Sequence, residues 1–262
     1  MTKDKRTGMK KLISRSITIL CLGVFFYAAY GLIDIAIEYY QNRQVLNDTQ
    51  EMFYSGVSTD ENAQNREKGG SKEIRPEFNE LLEGNSDVAG WITIEGTKID
   101  YPILQAEDNV TYLNRNYYKD DSIAGSIFLD YRNDFNTLDL NTIIYGHRMK
   151  DGSMFQHLIK FRDEDFFNKH RTVELETLYD SYEAEIFSVY NTTTDFNYIQ
   201  TDFSSEEEYA NLLTNIKEKS FFDSNIDVDE NDQILTLSTC DYTLDPDEGR
   251  LVVHAKLMEK ES

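Results

Sequence analysis

The chain has 262 residues, 40% hydrophobic and 28% charged with only three prolines, which excludes a disordered chain and allows one large domain or two small ones. Its net charge is −22, and so acidic a body repels nucleic acid, which needs clustered Lys and Arg on its partner; the acidic surface is read as a solubility device. Seventeen Tyr and fifteen Phe favour strands and aromatic packing.

Residues 1–15 carry Lys3, Lys5, Arg6, Lys10, Lys11 and Arg15 against the single acid Asp4, a net of +5. Residues 16–33, "SITILCLGVFFYAAYGLI", follow without a charge. As a helix this run spans about 27 Å, close to the ~30 Å hydrocarbon core of a bilayer. A cleaved signal peptide is the competing reading, but the run is long for one and "AAYG" is a weak cleavage site. An uncleaved signal anchor is therefore expected: a basic cytoplasmic tail over 1–15, a single-pass helix over 16–37 and the body of the chain outside the cell.

Residues 34–54 could extend that helix, although their apolar spacing is irregular. Residues 55–74 are polar with paired glycines and read as a linker, so 38–75 is assigned to a stalk and 76–262 to the extracellular domain. Pro76 suits the first turn of a short helix carrying Phe78, Leu81 and Leu82, with Gly84 as its stop. Eight strands follow: "WITI", "KIDYPIL", "GSIFLDY", "NTIIYGH", "TVELETLY", "YEAEIFSVYN", "ILTLSTC" and "RLVVHAKL". Short strands separated by polar turns predict a mainly β barrel or sandwich. Two helical inserts are expected, near 153–161 and over 205–219. In the second, Tyr209, Leu212, Leu213 and Ile216 have helical spacing, and Ser205 with Glu208 offers a capping box.

Cys21 lies in the apolar run, which leaves Cys240 as the only thiol outside it and without a disulfide partner in its own chain. Such a cysteine is an intermolecular bridge or a reactive group. Strand alternation puts Leu235 and Leu237 on a core face and Thr236, Ser238 and Cys240 on the other, so the thiol should point away from the main packing. Arg250 opens the next strand and shares a face with Val252 and His254. If these strands pair through the loop 241–249, Cys240 and Arg250 face each other across its base. A guanidinium favours the thiolate and can donate to a developing oxyanion.

An acyl-transfer reaction would also need an acid/base group, normally histidine. His157 and His170 read as solvated or structural. His254 is on the Arg250 face but about 13 Å further along the strand, a poor candidate. His147 ends a strand beside Gly146, a position suited to catalysis, yet spacing alone leaves it evenly balanced against a satisfied turn histidine.

"TLSTC" with an arginine ten residues after the cysteine, and "NTIIYGHRM" upstream, resembles the sortase family. "GWITIEGTKIDYPILQ", "GSIFLDYRND", "NTTTDFNYIQTDF" and the helix before the cysteine strand are similar to its class B members, from about residue 76 to 257. The resemblance implies a closed eight-stranded β-barrel with added helices. It implies a transpeptidase that cleaves an Asn-Pro-x-Thr-x type sorting motif after Thr, through a thioester on Cys240. His147 would be general acid then base, and Arg250 would bind the motif and stabilise the oxyanion. The partners implied are exported proteins bearing a C-terminal sorting motif, a peptidoglycan or lipid-linked amine acceptor, and the membrane; no cofactor is implied. The substrate groove would be lined by Asn109, Leu113, Tyr145, Thr194, Tyr198, Ile199 and Ser238, although Leu113 and Ile199 could be core and Asn109 a turn cap.

Asp241, Asp245, Asp247 and Glu248 crowd the loop between Cys240 and Arg250, where they should oppose thiolate formation and compete for the arginine. They could bind a cation, but a solvated loop is the expectation, with no obligatory metal. Rival readings are another extracytoplasmic cysteine acyl-transfer enzyme, a wall hydrolase, and a non-catalytic membrane-anchored module. An L,D-transpeptidase would show a "SHGC"-like motif, and a papain-like hydrolase would place its cysteine before its histidine. Here His147 precedes Cys240 by 93 residues.

Overall fold

A computed structural model of the chain describes residues 3–59, 73–135, 137–241 and 243–259. The predicted linker between 60 and 72, residues 260–262 and the side chains of residues 1–12 lie outside that description. Two compact units divide the chain, residues 1–41 and 42–262.

The first unit is the leading part of a 57-residue helix, α1 (Lys3–Thr59). The apolar run read as a signal anchor is helical. It is long and apolar enough to cross a membrane, and none of it is buried.

The second unit starts inside the same helix, which corrects the predicted stalk: residues 42–59 pack with the domain that was expected to begin at 76. Asn42, Val45, Leu46, Thr49, Met52 and Phe53 form one helical stripe of buried and half-buried positions. Its spacing is regular, but the buried members Asn42 and Thr49 are polar, so an apolar pattern does not reveal it. Phe53 stacks on Trp91 with ring centroids 4.2 Å apart. Gln50 donates to the Asp100 carbonyl at 2.9 Å, and Tyr54 donates to the Asp100 carboxylate at 2.9 Å. Gly56 lies against the backbone of Glu77, where a Cβ would collide. The turn Pro76–Phe78 and α2 (Asn79–Gly84) complete this corner, with Phe78 and Leu81 fully buried. Burying rings of this size contributes on the order of 2 kcal/mol each before entropy is counted.

Eight strands close into the expected barrel: β1 (Val88–Ile94), β2 (Asp100–Leu104), β3 (Ile127–Leu129), β4 (Asn141–Tyr145), β5 (Thr172–Thr177), β6 (Ser181–Thr192), β7 (Ile234–Cys240) and β8 (Arg250–Glu259). Their order around the barrel is β1-β2-β3-β4-β7-β8-β6-β5. Strand β7 is parallel to β4 and antiparallel to β8. The ends of β4 and β7 and the start of β8 therefore meet at one rim.

The insert between β4 and β5 is a 3-10 helix, Phe155–Arg162, followed by α3 (Glu164–Lys169). Helix α4 (Glu206–Lys219) links β6 to β7 and buries the predicted Tyr209, Leu212, Leu213 and Ile216. The Ser205 hydroxyl caps it by accepting from Glu208 N at 3.2 Å. The reciprocal half of the capping box is not formed. The Glu208 carboxylate accepts instead from Ser204 N and from the Gln200 side chain, at 2.7 and 2.8 Å.

The α4 residues pack on the outside of the barrel with Phe187, Tyr190, Ile234 and Val252. This second core corrects the expected exposure of the Cys240 face. Thr236 and Ser238 are as buried as Leu235 and Leu237 on the opposite face, and only the Cys240 end is open.

Candidate active site

Cys240 is the last residue of β7 and Arg250 the first of β8, and the two are direct partners in the antiparallel register. The thiol is half-buried and free. On the other flank, Tyr145 of β4 is level with Ser238 of β7, and Gly146 N donates to the Ser238 carbonyl at 3.3 Å. His147, two residues past Tyr145, is thereby carried to the level of Cys240. Gly146 has no room for a side chain, because a Cβ would run into Ile127 and the Phe155 ring. That close passage is what the glycine in "YGH" permits.

The His147 ring is 2.8 Å from the Leu113 carbonyl through Nε2. A carbonyl only accepts, so Nε2 carries the proton in this arrangement. Phe155 N donates to the His147 carbonyl at 2.9 Å. The backbone is therefore fixed on one side of the imidazole and the side chain on the other. Arg250 donates through one terminal nitrogen to the carbonyls of Gly249 at 2.9 Å and Asp247 at 3.2 Å. Among the described residues no carboxylate comes within ion-pair distance of it.

The acids of the loop 241–249 do not compete for Arg250, which corrects the expected conflict. Asp241 is 1% exposed and ion-paired with both Arg148 and Arg162 at 2.6 Å. Burial alone would raise its carboxyl pKa. The hydrogen bonds from Thr243 and the Arg162 charge outweigh burial and hold it below the usual carboxylate range. Asp245 accepts from the backbone N–H groups of Asp247 and Glu248 at 2.8 Å, which folds the loop into a tight turn and lowers its pKa. No cluster of three or more metal-ligating His, Cys, Asp or Glu is found among the described residues.

The residues read as groove wall are connected in two layers. Tyr198 is buried, and its hydroxyl is 2.9 Å from the Ser238 hydroxyl. Burial raises the Tyr198 phenol, the Ser238 bond and the Arg250 charge lower it, and Cys240 raises it, so both Cys240 and Arg250 lie within electrostatic reach. Tyr145 and Asn109 both donate to Asp130 Oδ2 at 2.9 Å. Asn109 also accepts from Tyr131 N at 3.0 Å, so both ends of its amide are engaged within the protein. Leu113 and Ile199 are half-buried, and Thr194 is exposed two residues past Thr192, the β6 partner of Arg250.

The sortase-domain family model matches residues 92–258. The chain belongs to the sortase family. It is 43% identical over 255 residues to sortase B of Listeria monocytogenes, covering 96% of this chain and 99% of that protein. A solved structure similar to sortase B from Bacillus anthracis is 49% identical, with a TM-score of 0.76 over 85% of this chain and 98% of that one. A sortase B–substrate complex from Staphylococcus aureus is 36% identical, with a TM-score of 0.77 over 86% of this chain and all of that one. These relationships make the protein a sortase B-type cysteine transpeptidase.

The other histidines fall away on geometry. His254 is fully buried between Tyr190 and Thr236, at 2.8 and 2.9 Å, and burial lowers its pKa to about 3. It shares the Arg250 face only by alternation. His157 accepts from Lys98 N at 2.9 Å, and His170 packs on Phe166 with ring centroids 4.5 Å apart. Sequence reasoning passed over Asp130, Arg132, Arg148 and Arg162. The signal for the first pair was present in "DYRND", an acid and an arginine two apart just after a strand. The arginines that hold Asp241 are distant in sequence and left no local sign.

Proposed function

We propose that Cys240 is the nucleophile of a sorting reaction, His147 its acid/base group and Arg250 the residue that binds the motif and the oxyanion. The observation that carries this reading is the strand order β4-β7-β8, which flanks the thiol with an imidazole and a guanidinium at one rim. The Cys240 thiol gives its proton to His147, and the resulting thiolate attacks the Thr carbonyl carbon of an Asn-Pro-x-Thr-x type motif. The carbonyl oxygen gains negative charge and is stabilised by the Arg250 guanidinium. The C–N bond then breaks, His147 gives its proton to the leaving amine, and a thioester to Cys240 remains. An amine of peptidoglycan or its lipid-linked precursor attacks that thioester. His147 takes the proton, and the thiolate is released.

Asn109, Leu113, Tyr145, Thr194, Tyr198, Ile199 and Ser238 form the groove for the motif in this reading. Because its amide is bonded within the protein, Asn109 shapes the groove and does not capture the motif directly. The Staphylococcus aureus relative is solved as a substrate complex, which supports a peptide groove on this barrel. The apolar stretch of α1, over residues 16–37, would anchor the protein as a single-pass membrane protein. The basic tail would stay in the cytoplasm and the barrel outside.

The test is direct. The full-length chain in detergent is incubated with an Asn-Pro-x-Thr-x peptide and an amine acceptor, and mass spectrometry looks for a thioester on Cys240 and for the ligated product. A folded protein that gives neither adduct nor cleavage overturns the reading.

A further inference from the structure

We infer that Asp130 is the positioning residue of the substrate groove, and that with Arg132 it sets the spacing of the walls and so the fit of the sorting motif. The inference rests on the groove reading above. Asp130 follows β3 and is fully buried. Its Oδ1 accepts from Arg132 N at 3.0 Å and Arg132 Nε at 2.8 Å. Its Oδ2 accepts from an Arg132 terminal nitrogen at 2.7 Å, Asn109 Nδ2 at 2.9 Å and the Tyr145 hydroxyl at 2.9 Å. A carboxylate offers about four lone-pair sites, so these five donors saturate it.

What distinguishes this buried carboxylate is where its donors come from. Asn109 belongs to the segment between β2 and β3, and Tyr145 ends β4 two residues before His147. The same Arg132 nitrogen also donates to the Ile199 carbonyl at 3.0 Å, in the segment between β6 and α4. One carboxylate and its arginine therefore join three of the four wall segments of the groove, all but the β7 wall that carries Ser238. A counter-ion for Arg132 alone would need only the bidentate pair. Asn141 reinforces the third wall by donating to the carbonyls of Tyr198 and Gln200 at 3.0 and 2.9 Å. Beside the hub, Val110 and Tyr131 project into solvent, 64% and 52% exposed. Each directly follows an anchored residue, Asn109 or Asp130, so moving the hub moves both.

Asp130→Asn keeps the shape and removes the charge. Arg132→Lys keeps the charge and removes the planar fork that reaches Asp130 and Ile199 together. Neither residue touches the reacting atoms, so the expected result is a split: KM for the sorting peptide rises about tenfold, the scale of one charge-assisted hydrogen bond, with kcat within about threefold. Alkylation of Cys240 by iodoacetamide, which needs no groove, should keep its wild-type rate in both variants. A merely structural role would lower the unfolding temperature and leave the KM of the folded protein unchanged. A folded variant with wild-type KM overturns the inference, and if Asp130→Asn does not fold, Arg132→Lys decides alone. Failure of the wild-type protein to form a thioester is a separate outcome, which strikes the sortase chemistry and not the hub.

Discussion

Arg148 and Asp241, the residues that directly follow His147 and Cys240, are joined by a 2.6 Å ion pair. The pair ties the end of β4 to the end of β7 just past the two side chains proposed to do chemistry. Arg162 braces the same carboxylate from the helix Phe155–Arg162, so an acid beside the thiol is held by two cations.

Asp241→Asn removes the carboxylate that pairs with the half-buried Arg148 and Arg162. Breaking a buried pair by removing one partner costs about 3 kcal/mol, and the partial exposure of the arginines reduces that to roughly 2. The carboxyl pKa is depressed in the folded protein. Its contribution is therefore complete above the unfolded value of about 3.9 and is lost as pH falls through the lower folded value. Urea unfolding at pH 7 should show the loss, and the variant and wild type should converge in strong acid. Equal stability at pH 7 would count against the pair.

His254 supplies a second acid-sensitive contribution with a different window. Its folded pKa of about 3 lies below the unfolded value of about 6.5, so between them the unfolded chain binds the extra proton. Stability is full above about pH 6.5 and declines towards about pH 3 by roughly 1.4 kcal/mol per pH unit. His254→Gln should flatten the dependence between pH 5 and 7, which in the wild type amounts to about 2 kcal/mol. The hydrogen-bond chain assigns the tautomer: Thr236 donates to Asn141 Oδ1 at 2.6 Å, so His254 Nδ1–H donates to Thr236 and Nε2 accepts from Tyr190. A retained slope in the variant would place the titration elsewhere.

Cys240→Ala should abolish both adduct and ligation. His147→Ala should lower kcat by about 10²–10⁴, the usual contribution of a positioned acid/base group. For Arg250→Lys the loss in kcat/KM should be about 10²-fold, because a lysine retains the charge but not the fork. Peptide cleavage kinetics on folded variants check all three. Wild-type rates from His147→Ala would remove it as the acid/base group, and burial already disqualifies His254 from replacing it.

The eight strands were legible because turn residues punctuate them and their side chains alternate. The helix α4 was legible because its buried side is apolar at regular spacing. The carboxyl half of α1 was not, since Asn42 and Thr49 occupy buried positions where an apolar residue is expected. Alternation correctly placed Cys240 and Arg250 across from each other. It could not show that α4 and Tyr198 cover the same face, because that second core comes from a segment outside the strand pair. His147 needed the parallel β4–β7 pairing, and no local pattern in "YGH" encodes its partner strand. The acidic loop misled because charge was counted without its partners. Asp241 finds them 93 and 79 residues upstream, at Arg148 and Arg162.

Gly249→Ala tests how that loop delivers Arg250. A Cβ at Gly249 would collide with the backbone carbonyls of Asp241 and Asp245, neither of which can rotate away as a side chain would. Those carbonyls are fixed, because Asp241 N bonds to the Gly249 carbonyl at 2.9 Å and Gly249 N to the Asp245 carbonyl at 3.2 Å. The turn must open, and the carbonyls of Gly249 and Asp247 that hold the guanidinium move with it. Stability should fall by about 2 kcal/mol, as for overpacking at a rigid site. The loss in kcat/KM should exceed what the unfolded fraction explains, since Arg250 is displaced in molecules that remain folded. Measured at a temperature where circular dichroism shows both proteins to be folded, wild-type kcat/KM would mean that the turn does not set the position of Arg250.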